Sequence, residues 1–364
     1  MYLSRIILSD FKNIEGADIE LSSKINCICG NNGEGKTNLL DAIHYLSMTK
    51  SFLSSSDRYT FRHGTQESVV NGTFFKNGSI ENIGISIKAN GEKIVRKDSK
   101  TYKRVSDHIG RMPIVMVSPA DTSIINDSAE ERRRFINMML SQTDQEYLRS
   151  SIAYNRVLKQ RNQLLKQEYI SNLLLDTMSE QMSSPAMYIF SKRKEAVESL
   201  SKCTAEFYSL ISGGKESVSI EYVSELYDDM PLSLFDKSRE KDKALKYTTS
   251  GVHRDDLNFL MDGHPIRKCA SQGQQKSFLI SLKMAQYKIM NQMYGVTPML
   301  LLDDVFDKLD HSRVSALINM VLKENFGQVF ITDTDRSRVE GIVRTFTDEG
   351  KFFNVVSGVF TEEK

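Results

Sequence analysis

Six prolines and twenty glycines among 364 residues leave little material for long flexible linkers. Only four cysteines are present, Cys27, Cys29, Cys203 and Cys269. Cys27 and Cys29 alternate along one predicted strand without metal-ligand partners nearby, and the set reads as buried or half-buried free thiols of a reducing compartment. The opening Met1-Tyr2-Leu3-Ser4-Arg5 lacks the basic-then-apolar pattern of a secretory leader. No apolar run approaches the ~20 residues needed to cross a bilayer. A soluble cytoplasmic protein with no membrane contact is expected. A net charge of +1 excludes global attraction to nucleic acid, so any such binding must come from a local patch. What is there is ordinary for a globular chain, 40% hydrophobic and 26% charged, long enough for one large core or two modest ones.

The first hundred or so residues read mostly as β. Leu3–Leu8, Ala17–Leu21, Ile25–Cys29, Ser68–Phe75, Ile80–Lys88 and Ile114–Val117 are short runs rich in β-branched or aromatic residues, with Asn77-Gly78 and Asn90-Gly91 as hairpin turns. The character changes near Pro119. Helical spacing dominates Arg133–Leu140, Tyr147–Gln167 and Met187–Tyr208, with Pro185 expected to mark an N-terminal turn. Strand character returns at Ser217–Val223. A helix is expected after Ser271, then buried strands at Met299–Leu302 and Val329–Ile331. This order predicts an α/β lobe split by a helical insertion, the lobe using both ends of the chain.

Gly30-Asn31-Asn32-Gly33-Glu34-Gly35-Lys36-Thr37 matches the phosphate-loop (Walker A) pattern G-x-x-x-x-G-K-[ST] at every fixed position. It lies between the predicted strand Ile25–Cys29 and an amphipathic helix from Asn38. Glycines let the backbone aim successive N–H groups at phosphate oxygens, and the helix N-terminus adds partial positive charge. Lys36 would reach the β- and γ-phosphates of a nucleotide and the Thr37 hydroxyl would ligate Mg²⁺.

Met299-Leu300-Leu301-Leu302-Asp303-Asp304 is an apolar strand ending in two acids. Beside a phosphate loop, that is where Mg²⁺ needs a carboxylate, so Asp303 is assigned to the metal. Asp304, one residue on, would face the attacking water as general base or orienter. Ser271-Gln272-Gly273-Gln274-Gln275-Lys276 opens the preceding helix: Ser271 is a good N-cap, and Gly273 allows close backbone approach to a phosphate.

Phosphate loop, Ser-x-Gly-Gln helix start and strand-Asp-acid follow one another as in the ABC-type ATPase heads. Within these the chain resembles the RecF family of bacterial recombination and gap-repair proteins nearly end to end. The likeness is carried by Gly33–Ile43, Gly251–Leu257, Ser271–Lys276 and Leu301–Asp310, and also by Ser118-Pro119, Arg132–Phe135 and Leu158–Lys166. It implies an ABC-type α/β ATPase head with a mixed/antiparallel β subdomain and an inserted helical lobe. The lobes expected are 1–120 (nucleotide lobe, first part), 121–210 (helical insertion) and 211–364 (return to the nucleotide lobe). ATP and Mg²⁺ are the implied cofactors. Gly30, Asn31, Asn32, Gly33, Glu34, Gly35, Lys36, Thr37 and Asn38 would hold one nucleotide, with Ser271, Gly273 and Gln274 reaching the γ-phosphate from a second copy. Lys36 and Asp304 are the implied catalytic pair, and Asp310 would lie at the same dimer interface.

The resemblance further implies a weak ATPase used as a switch. An ATP-induced homodimer would bind DNA and help place RecA at gaps with RecO and RecR, in repair, replication and the SOS response. Basic candidates for DNA are Arg132, Arg133, Arg134, Arg156, Lys159, Arg161 and Lys166, although Glu130, Glu131 and Glu168 interrupt them. His253, Arg254, Asp255 and Asp256 read as a structural ion-pair cluster or a lining near the nucleotide. Departures from the family are Leu53 for the usual Arg and Val252 for the usual Pro. Against the wider ABC group, Asp304 replaces Glu and Thr332 replaces His, both suiting slow hydrolysis. Asn126 and Gln142 are both candidates for the residue that senses Mg²⁺ between lobes. A cohesin-like or SMC-like structural ATPase would need two long coiled-coil arms. Only 234 residues separate Lys36 from Ser271, without sustained heptads. An ATPase–nuclease of the overcoming-lysogenisation type would need an added domain, and 54 residues follow Asp310.

Overall fold

The computed structural model describes residues 1–54, 56–295, 297–305, 326–344 and 349–363. In chain order the first elements are β1 (Tyr2–Phe11), β2 (Ile14–Glu20), β3 (Ile25–Cys29), α1 (Lys36–Met48), β4 (Glu67–Lys76), β5 (Ser79–Lys88), β6 (Lys93–Lys97), β7 (Lys100–Thr101) and β8 (Ile114–Val117). Then come α2 (Thr122–Asn126), α3 (Ala129–Thr143), α4 (Gln145–Leu164), α5 (Asn172–Ser212), β9 (Val218–Val223), α6 (Pro231–Leu245), β10 (Asp256–Met261), β11 (His264–Pro265), α7 (Ile266–Cys269) and α8 (Gln272–Tyr294). The remainder is β12 (Met299–Asp303), β13 (Val329–Asp333), α9 (Arg336–Val343), β14 (Gly350–Val356) and β15 (Val359–Glu363). Two compact units result: residues 1–121, 210–212 and 286–364 form the first, and residues 122–209 and 213–285 the second.

The first unit holds two six-stranded sheets. One, in the order β2-β1-β4-β5-β6-β7, is antiparallel throughout. The other, β15-β14-β3-β13-β12-β8, is parallel except for its edge strand β15. Strands β3, β8, β12 and β13 are buried at every position. That is why they read as continuous apolar runs rather than alternating ones: a parallel sheet is covered on both faces. β4 and β5 instead alternate, with Val70, Phe74, Ile83, Ile85 and Ile87 turned inward. Helix α1 contributes Leu39, Leu40, Ile43 and Leu46 to the same core as Leu301, Phe330 and Phe353. Each such side chain contributes roughly 1.5–3 kcal/mol on burial, so α1 is fixed tightly and with it the loop that precedes it.

The Asn77-Gly78 turn forms as expected, both residues at positive φ (50° and 79°) between β4 and β5. β6 and β7 were not legible. Lys93–Lys97 and Lys100–Thr101 are too rich in lysine to read as strands, and their Asp98-Ser99 turn, also at positive φ, lacks the usual glycine. Cys27 and Cys29 are free and buried. Burial pushes both thiols up, Cys29 to about 11, so neither is a reactive thiolate.

The second unit corrects two expectations. Residues 213–285 belong with the helical segment, not with the carboxyl-terminal strands. The physical cause is a set of buried ion pairs. Arg161 of α4 meets Asp242 of α6 at 2.7 Å, both almost wholly excluded from solvent. Arg193 of α5 meets Asp255 at 2.5 Å, and Arg132 of α3 grips Asp256 at the start of β10 through two hydrogen bonds. Pro185 does not mark a helix start: α5 runs for 41 residues straight through it. An interior proline forgoes one backbone hydrogen bond and crowds the preceding turn. Here Met182, Ala186 and Ile189 are all buried around it, and that packing keeps the helix continuous.

Candidate functional site

The phosphate-loop pattern leaves the carboxyl end of β3, in the middle of the parallel sheet. Gly30 donates its N–H to the Asp333 carbonyl of the neighbouring β13 at 3.3 Å. No side chain fits there, because a Cβ on Gly30 would lie 2.5 Å from the carbonyl oxygen of Val355 on β14. Gly35, at φ 114°, occupies a backbone conformation that L side chains rarely adopt, and it caps α1. The cap makes no side-chain hydrogen bond and the first turn carries no acid. The leading N–H groups of a buried helix are thus directed at the loop, which is the arrangement that receives anions. The Lys36 ammonium is drawn across the loop, donating to the Gly30 carbonyl at 2.8 Å and the Asn31 carbonyl at 3.1 Å.

Sheet register brings distant residues to this point. Asp303, the last residue of β12, lies opposite Thr332 of β13, and Leu302 lies opposite Val117 of β8, which Ser118 follows. The buried Asp303 carboxylate accepts from the Thr37 hydroxyl at 2.9 Å and from the Thr332 hydroxyl at 2.7 Å, and the Ser118 hydroxyl stands at 3.5 Å. Burial raises the Asp303 carboxyl above its ordinary value. The hydroxyls and the nearby Lys36 ammonium pull it back down. Asp304 leaves the strand at φ 46° and donates its N–H to the Thr332 hydroxyl at 3.0 Å. Thr332 therefore links the two acids. In the sequence Thr332 stands out only as a departure from a pattern and Ser118 is not marked as a site residue; only parallel pairing brings them here.

Ser271, Gly273 and Gln274 open α8 in the second unit. Ser271 and Gln274 cap the helix reciprocally: the Ser271 N–H donates to Gln274 Oε1 at 2.8 Å, and the Gln274 N–H to Ser271 Oγ at 3.3 Å. The Gln274 amide nitrogen also donates to Glu216 at 2.9 Å. Its side chain is thus committed to the helix start, whereas Ser271 stays exposed. Asp310 lies outside the described residues.

Several basic candidates prove structural. Arg132 and Arg161 are buried in the ion pairs above, and Arg133 donates to the Asp255 carbonyl at 2.7 Å. Arg134 faces Glu131, while Arg156, Lys159 and Lys166 are exposed. Asp255 and Asp256 are the partners of Arg193 and Arg132, and His253 lies between the Tyr154 hydroxyl and the Thr248 carbonyl, so these three form an internal polar cluster, whereas Arg254 is exposed. Gln142 is buried with its amide on the Met138 carbonyl of its own helix; Asn126 meets Gln275 at 3.4 Å.

The Thr37 hydroxyl and Asp303 carboxylate are hard oxygen donors of the kind Mg²⁺ takes, one or two from protein with phosphate oxygens and water completing its octahedron. Among the described residues no group of three or more His, Cys, Asp or Glu could hold a metal ion without such help. No helix among them is long and apolar enough to cross a membrane.

A phosphate-type loop between a parallel strand and a buried helix, an acid closing the strand one place removed, and an antiparallel sheet on the same core define an ABC-type ATPase head. Comparison narrows the class. A family profile described as the RecF/RecN/SMC N terminal domain matches residues 2–349. The chain is 43% identical over 361 residues to the DNA replication and repair protein RecF of Porphyromonas gingivalis, covering 98% of this chain and 99% of the relative. It is 42% identical over 359 residues to that of Flavobacterium johnsoniae, covering 98% and 100%. Among solved structures, the recombination mediator RecF with ATP, of the RecFOR pathway, superposes with a TM-score of 0.89 at 28% identity, covering 100% of this chain and 98% of that one. The Smc head domain of Pyrococcus furiosus shares the fold, with a TM-score of 0.58 at 17% identity, covering 100% and 96%. The chain belongs to the RecF family of DNA replication and repair proteins.

Proposed function

We propose that this protein is an ATP-dependent DNA-binding protein of recombinational gap repair and replication restart, acting in the cytoplasm. ATP would join two copies into a DNA-holding dimer, and slow hydrolysis would release it. One observation carries the reading: Thr37 and Asp303, 266 positions apart in sequence, meet at 2.9 Å beside a complete phosphate loop. A RecF–ATP complex is among the structural relatives, which supports ATP as the ligand.

In this reading the loop N–H groups and Lys36 bind the phosphates, with Gly30–Asn38 forming the cradle. Thr37 and Asp303 would hold Mg²⁺, which when bound neutralises charge developing on the β- and γ-phosphates. Asp304 orients water from the end of β12. Thr332 holds both acids in place but has no imidazole to assist, and so hydrolysis is slow. Ser271 and Gly273 of the partner subunit reach the γ-phosphate, so ATP stabilises the dimer by mass action. Loss of that phosphate removes the contact and resets the switch. DNA phosphates would be held by exposed bases such as Arg156, Lys159 and Lys166, which carry no sequence information. Recombinase loading would proceed with RecO, RecR and RecA, consistent with the RecFOR pathway of the structural relatives.

The test is retention of gapped duplex DNA by the wild type with ATP·Mg²⁺, with ADP·Mg²⁺ and without nucleotide. Retention confined to the ATP arm is expected. Equal retention in all three arms would overturn the switch.

A further inference from the structure

We infer that Asn13 and the Ser357-Gly358 turn are positioning residues that fix the phosphate loop from outside, and that they set its affinity for nucleotide. The inference rests on the nucleotide reading above and adds residues outside the loop pattern to it.

Asn13 sits in the turn between β1 and β2. Its side-chain amide donates to the Gly33 carbonyl at 3.3 Å and accepts from the Asn38 amide at 2.7 Å. A carbonyl can only accept, so the Asn13 nitrogen must face Gly33, leaving its oxygen for Asn38. One side chain thereby ties the middle of the loop to the first turn of α1. Gly35 packs against it: a Cβ there would lie 3.0 Å from Asn13 Oδ1.

The second support comes from the turn between β14 and β15. Ser357 and Gly358 both have positive φ, 51° and 78°, with Val356 and Val359 paired across them. The two adjacent N–H groups of this turn both face the phosphate loop and offer a small site for an acceptor. Here the occupant is Glu34 of the loop. Its carboxylate accepts from the Ser357 N–H, and its backbone carbonyl accepts from the Gly358 N–H at 2.8 Å. The two supports also touch: a Cβ on Gly358 would lie 2.9 Å from the Asn13 carbonyl oxygen. Gly33 and Glu34, in the middle of the loop, are thus held from both sides. Phosphate binding needs several N–H groups aimed together, and releasing either support would spread their directions and add an ordering cost to binding.

The test is isothermal titration of ATP·Mg²⁺ into wild type, Asn13→Asp, Glu34→Ala, Glu34→Gln and Gly358→Ala, each with its melting temperature measured without nucleotide. Asn13→Asp keeps size and acceptor but loses the donor to Gly33. Glu34→Gln keeps an acceptor for Ser357 and should rescue what Glu34→Ala loses. The inference predicts that Kd rises about tenfold in Asn13→Asp and Glu34→Ala, one or two hydrogen bonds' worth, with nucleotide-free melting within a few degrees of wild type. Gly358→Ala should weaken binding too. If wild type binds ATP and both Asn13→Asp and Glu34→Ala bind within twofold of it, the inference is overturned and the nucleotide reading stands. If wild type binds no ATP, both fall.

Discussion

At the scale of single residues, Asp303 shows how function and stability diverge. Its carboxyl is raised by burial, so the folded state holds the ionised form less comfortably than the unfolded chain does. Stability from this group therefore increases as pH falls through its raised folded value toward the ordinary carboxylate range, the opposite of a salt-bridged acid. Asp303→Asn should keep or raise the melting temperature while lowering ATP turnover by about a hundredfold or more, the scale of losing one preorganised electrostatic group. A folded, fully active variant would contradict the metal role proposed for it. His253 has the opposite sign of dependence. Burial lowers its pKa to about 4, and since the Thr248 carbonyl can only accept, Nε2 carries the proton and Nδ1 accepts from Tyr154. Between about pH 6.5 and 4 the unfolded imidazole binds a proton that the folded one refuses, so stability drops as pH falls through that window, by about 3 kcal/mol. Denaturant titrations of wild type and His253→Ala across that range check it: the variant should lose this share of the pH slope.

At the scale of elements, strands and turns with local signals were legible: Ile25–Cys29 and Ile114–Val117 formed with the expected bounds because burial on both faces writes an unbroken apolar run. Pro185 misled because local propensity yields to packing when the flanking turns are buried. Arg132 and Arg161 misled because a base on a helix reads as solvated until its acid partner, 124 or 81 positions away, is known. Arg161 belongs to the join of α4 and α6, where it also reaches Thr248 at 2.7 Å. Removing one member of a buried pair leaves an uncompensated charge. Arg161→Leu should therefore destabilise the protein by about 3–5 kcal/mol in denaturant unfolding, and any DNA-binding loss should vanish once corrected for folded protein. A stable variant with specifically weakened DNA binding would restore Arg161 as a DNA contact.

At the scale of the whole molecule, the loop and the Asp303 strand could be paired from sequence because both carry fixed local chemistry. Ser118, Thr332 and Asn13 could not, since each is an ordinary polar residue whose role exists only through strand order or a turn's approach to the loop. The second boundary was misplaced for a related reason: residues 213–285 look like returning strand and helix, and only buried pairs such as Arg193–Asp255 show where they pack. The central claim is that ATP turns this chain from a single copy into a DNA-holding pair. Sedimentation of wild type and Lys36→Met with ATP·Mg²⁺, with and without a gapped duplex, tests it most directly. The account predicts a monomer-to-dimer shift that only the wild type shows and that carries DNA with it. A sedimenting species that ignores ATP in both proteins would contradict it.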